Sequence, residues 1–81
     1  MFKLTVELPN KLAALHFIDK NGNSIQEKQA TQVWTLEAPD CEVTFTKLRI
    51  SLDSKDICEF SINTQSDMHL KCLETDTSTP P

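Results

Sequence analysis

Apolar and polar residues alternate in seven short segments of this 81-residue chain. A period of two is the signature of strands with one buried face. The expected fold class is therefore all-β, a small antiparallel β-sandwich of about seven strands, with a partly open β-barrel as the alternative. The first segment is the clearest: Phe2, Leu4, Val6 and Leu8 alternate with Lys3, Thr5 and Glu7, and Pro9-Asn10 ends it. Residues 11–14 form a helical turn or a loop before an extended run, Leu15-His16-Phe17-Ile18, resumes.

Gly22 is the only glycine, and it sits where a hairpin needs one. Asp19-Lys20-Asn21-Gly22 reads as a type I turn closed by a glycine bulge, since glycine takes the left-handed conformation cheaply. This register sets Phe17 opposite Ile25. The return strand, residues 24–29, is mostly polar and is expected at a sheet edge. Trp34 and Leu36 alternate with Val33, Thr35 and Glu37, and Ala38-Pro39-Asp40 breaks that strand.

Farther on, Cys41, Val43 and Phe45 form one apolar set, and Leu48, Ile50 and Leu52 another that is one residue out of phase. The slip near Thr46-Lys47 implies a bulge or a turn, and with no strong turn residue there it predicts one long strand, bulged or bent as it passes between sheets. A last hairpin turning at Thr64-Gln65-Ser66 would set Ile62 against Met68, Phe60 against Leu70 and Cys58 against Cys72 on one face. On the other face it would set Glu59 against Lys71 and Ser61 against His69. In that register Ile57 and Leu73 form an apolar pair on an otherwise polar face.

A chain this short makes one domain, expected over residues 1–73. The sequence ETDTSTPP at 74–81 is expected to be a flexible tail, because it has no apolar anchor and ends on two prolines. The net charge is −4, and it is uneven. Residues 1–36 hold four lysines and three acids, whereas residues 37–81 hold nine acids and four bases. Direct nucleic-acid binding needs clustered Lys and Arg, so none is expected. A basic protein partner, such as one that itself binds nucleic acid, suits the acidic half. No run approaches the ~20 apolar residues of a membrane helix, and Met1 leads straight into a strand. Three cysteines, an odd number, suggest reduced thiols at Cys58 and Cys72 and a cytoplasmic protein, with a Cys58–Cys72 disulfide and a secreted or surface-attached protein as the alternatives.

Chemical motifs are sparse. Asp19, Asn21 and Asn23 start like a calcium loop, but Ser24 and Ala30 stand where its glycine and bidentate carboxylate belong. Among His16, His69 and the cysteines there is no zinc-type spacing, and no cofactor is expected. Neither histidine lies in a nucleophile motif, so no enzyme activity is expected. Trp34 is expected to be a core aromatic rather than a stacking platform. By elimination, the expected function is a protein-binding module acting stoichiometrically through a surface patch of Ile57, Leu73 and Glu59, as a small inhibitor or adaptor such as a phage-encoded anti-defence protein would. The alternatives are a ligand- or carbohydrate-binding module and a self-associating structural subunit.

Overall fold

In the computed structural model, which describes residues 1–73, two sheets pack face to face as a small sandwich. The expected tail at 74–81 lies outside the described residues. The strands are β1 (Phe2–Glu7), β2 (Ala13–Ile18), β3 (Ser24–Ala30), β4 (Val33–Ala38), β5 (Lys47–Leu52), β6 (Lys55–Ser61) and β7 (Met68–Lys71). A three-stranded sheet runs β4-β1-β7 and a four-stranded sheet runs β3-β2-β5-β6. Four of the five pairings are antiparallel, but β1 and β7 run parallel.

The alternation of β1 does what its period demands. Phe2, Leu4, Val6 and Leu8 are buried, and Leu15, Phe17, Leu48 and Ile50 meet them from the other sheet. Trp34 and Leu36 of β4 stand beside Val6 and Leu4 on the same inner face. The edge position of β3 is also as expected, with nearly all of its residues exposed.

The glycine turn forms with one correction. The Gly22 amide donates to the Asp19 carbonyl at 3.0 Å, and Gly22 has φ +86°. Asp19 Oδ1 accepts the amide N–H groups of Asn21 and Asn23, both at 2.9 Å. Ile18 then pairs with Ser24 but Phe17 pairs with Gln26, so Ile25 is the extra residue of a bulge rather than the partner of Phe17. The bulge turns Ile25 toward the open edge of the sandwich, where it is partly exposed.

Two further expectations are overturned. Residues 41–46 are not the first half of a long strand: a 3-10 turn spans Asp40–Glu42, and Val43 and Phe45 pack against the core from an irregular crossover. The crossover does join the two sheets. The phase slip marks the end of this connection and the start of β5, not a bend within a strand. The hairpin of β6 and β7 does not exist either. β6 returns from β5 through a two-residue turn, in which Asp53 and Ser54 have φ +53° and +65°. β7 instead crosses to the other sheet and lies parallel to β1, setting Met68 and Leu70 beside Leu4 and Val6. The expected turn at Thr64-Gln65-Ser66 does form, but the apolar residues flanking it find their strand partners in β5 and β1 rather than across it.

The two thiols expected to be free are joined. Cys58 on β6 and Cys72 just after β7 form a disulfide, with Cα atoms 6.0 Å apart, which staples one sheet to the other. Cys41 is exposed and unbridged.

Candidate functional site: an open apolar cleft and a polar saddle

The three residues of the expected patch stand in different surroundings. Ile57 is the extra residue of a bulge in β6, because Ile50 pairs with Cys58 while Ser51 pairs with Asp56. It is half-buried and packs against the core. Leu73 is 52% exposed at the end of the described chain. Glu59 faces Arg49 across the β5–β6 ladder and lies 3.8 Å from Lys47 Nζ, rather than pairing with Lys71. The common face that linked Ile57, Leu73 and Glu59 depended on the missing hairpin.

A different apolar surface is present. β3 and β4 are the edges of opposite sheets, joined only by Thr31-Gln32. That link is held by Gln32, whose amide donates to the Pro9 carbonyl at 3.1 Å and whose carbonyl accepts the Leu8 amide at 2.9 Å. Between the two edges a cleft of about 320 Å³ opens, lined by Phe17, Ile25, Trp34, Leu36 and Phe45. Phe17 is the floor. Its ring centre lies 5.3 Å from that of Trp34 and 4.8 Å from that of Phe45, the latter edge-on, as ring quadrupoles favour. Trp34 and Phe45 are only half-buried. Trp34 therefore belongs both to the core and to an accessible wall. Lys28 and Glu42 line the same cleft.

The outer face of the four-stranded sheet carries a second concavity, of about 400 Å³ and polar. His16 Nε2 lies 3.0 Å from Ser51 Oγ, and His16 Nδ1 lies 3.7 Å from Glu27 Oε1. Adjacent strands β3, β2 and β5 place these side chains in a row, with Glu27 directly across from His16. Arg49 shares the concavity; its Nε is buried, 3.6 Å from Asp56 Oδ1, with no hydrogen-bond partner among the described residues. Ser51 is 35 residues from His16 in sequence, so no local motif announced the pair. The signal that existed was weak: Arg49 and Ser51 are polar positions in β5, two apart and hence on one face.

His69, the other histidine, lies 2.5 Å from Glu7 Oε2 on the exposed face of the β1–β7 pair. No protein-family model matches this chain, and neither a curated protein nor a solved structure matches it.

Proposed function

We propose that the protein is a binding module that accepts an extended segment of a partner protein along the free edge of β4. One observation carries this reading. The β4-β1-β7 sheet is one strand narrower than the sheet it faces, and the uncovered ground beside β4 is the aromatic cleft. A donated strand would satisfy the unpaired backbone groups of β4 and seat alternate apolar side chains against Phe17, Ile25 and Phe45. Edge pairing supplies affinity, and the cleft supplies preference for an aromatic or branched residue. The net charge of −4 favours a segment from a basic surface. The Cys58–Cys72 disulfide supports the secreted or surface-attached alternative over the cytoplasm, where thiols are kept reduced.

Selection from a random heptapeptide library tests the reading directly. Enriched peptides should carry apolar residues at every second position. Their binding should change the fluorescence of Trp34, the only tryptophan. Trp34→Ala should weaken binding by about 1–3 kcal/mol, the usual cost of truncating an interface anchor. Enriched peptides that bind the Trp34→Ala variant as tightly as the parent would sink the proposal. Dimerisation that competes with the selected peptide would make a second copy of this chain the natural occupant.

A further inference from the structure

The polar saddle has a different architecture from the cleft, and it faces away from it, because His16 and Phe17 point to opposite sides of β2. We infer that Ser51, His16 and Glu27 form a nucleophile, base and orienting carboxylate that hydrolyse a small carboxylic ester in this concavity. The geometry meets the requirements of acyl transfer one by one. The nucleophile and its base are in contact: Ser51 Oγ is 3.0 Å from His16 Nε2. The base is backed by an acid: Glu27 Oε1 is 3.7 Å from Nδ1, roughly 0.5–1 Å beyond a hydrogen bond and within reach of a rotamer adjustment. All three project from paired strands rather than loops, which holds their spacing.

The site also has room and a cationic donor. Ser51 is only 6% exposed, yet it borders the 400 Å³ concavity. A register shift at Ile50/Ser51 lies beside it, the kind of irregularity that re-aims a side chain. Arg49, whose Nε lies 3.6 Å from Asp56 Oδ1, lines the same space and brings a cationic donor to it. That donor suits the negative charge that grows on a carbonyl oxygen during attack. The small, open concavity suits a short acyl ester.

The chemistry balances with water as the only co-reactant. With the His16 proton on Nδ1, facing Glu27, Nε2 accepts the proton of Ser51 as Oγ bonds to the acyl carbon. The carbon–oxygen bond to the leaving group then breaks, its electron pair leaves with the oxygen, and His16 returns the proton to release the alcohol. Water attacks acyl-Ser51, His16 again takes and returns a proton, and a carboxylic acid departs with Ser51 restored. Glu27 is a positioning residue acting through His16.

The test uses the full chain carrying Cys41→Ser, so that the exposed thiol does not contribute. A fluorophosphonate should add one label, mapped by peptide mass to Ser51. Ser51→Ala and His16→Gln should abolish labelling and lower p-nitrophenyl acetate hydrolysis by about 10²-fold or more. Glu27→Gln should lower kcat with little change in KM, because it alters the base and not the room for substrate. Melting temperatures of the variants separate lost chemistry from lost fold. If a variant unfolds, labelling of the parent at Ser51 still decides. An unlabelled Ser51 in the folded parent, or hydrolysis equal to that of a folded Ser51→Ala variant, overturns the inference and leaves the hydrogen bond as a structural one.

Discussion

The two lateral sides of this sandwich solve the same problem in opposite ways. Each side brings an edge of one sheet near an edge of the other. On the β6/β7 side the gap is closed covalently, by Cys58 and the fully buried Cys72, with Ile57 packed against the core nearby. On the β3/β4 side the sheets are linked by chain alone, through Thr31-Gln32 and the crossover that carries Phe45, and aromatic side chains remain accessible between them. A thin domain of this size has little stability to spare. Closing one side with a bond lets the other keep uncovered apolar surface without unfolding. Covalent closure and exposed apolar surface are thus assigned to different edges.

The largest expected effect tests whether the open side still has a core beneath it. Phe17→Ala should cost about 3–5 kcal/mol in denaturant unfolding, as large aromatic truncations in cores do. A loss under about 1 kcal/mol would mean that the cleft floor is surface and that the open side has no core beneath it.

Next comes the staple. Replacing both Cys58 and Cys72 with Ala should destabilise by about 3 kcal/mol, the loop-closure value for two residues separated by 14 positions. Thiol counting on unfolded, alkylated protein should find one reactive group, Cys41. Three groups together with unchanged stability would break the comparison, because both sides would then be open.

Ile57 and Leu73 sharpen the picture of the closed side. Ile57→Ala should cost about 2 kcal/mol because Ile57 packs on the core, whereas Leu73→Ala should fall within about 0.5 kcal/mol of the parent. Equal and small effects in thermal melts would restore the two as a joint surface patch.

A smaller effect belongs to the turn that leads into β3 on the open side. Gly22→Ala should destabilise by about 1 kcal/mol. An added Cβ would meet nothing within 4 Å, so the cost comes from φ +86° and not from crowding. Calcium and chelator should give the same melting temperature for parent and variant.

The smallest effect is the acid response of the same turn. The backbone N–H of Asn23, helped by that of Asn21, holds the Asp19 carboxyl below its ordinary value. A depressed folded-state pKa contributes stability above the unfolded value, near ~4, that is lost as pH falls through the lower folded value. Asp19→Asn should flatten the stability profile in that acid window and leave neutral behaviour nearly unchanged. A parent and variant with parallel profiles below about pH 4 would show that the turn does not depend on the charge.

Much of this molecule was legible because strands report their own burial. The alternation in β1, the Gly22 turn and the polar edge strand β3 are local: period, turn chemistry and charge decide them within a few residues. Asp53-Ser54 carries a local signal for the β5–β6 hairpin, since aspartate tolerates the left-handed conformation that a two-residue hairpin turn needs. The crossover at 41–46 shows where alternation misleads. Val43 and Phe45 pack against the core, Phe45 edge-on to Phe17, and an irregular segment can do that as well as a strand.

Partner choice between strands was another matter. Apolar faces are interchangeable, so the inner face of β7 fits beside β6 or beside β1, and nothing in residues 55–71 ranks the two. Only closure of the whole sandwich decides it, because β1 would otherwise have an uncovered edge on the side away from β4. That one decision moved everything functional. It removed the strand ladder on which the Ile57–Leu73 pairing was built, made Cys58–Cys72 a bridge between sheets, and left β4 as the free edge beside the aromatic cleft. The row Glu27-His16-Ser51 likewise belongs to tertiary structure alone, for three strands had to align before side chains far apart in sequence could touch. The amino-acid order determined which faces are apolar and where the tight turn falls; the packing of the two sheets determined which faces meet, because long-range pairing is selected by the total surface buried and not by any single segment.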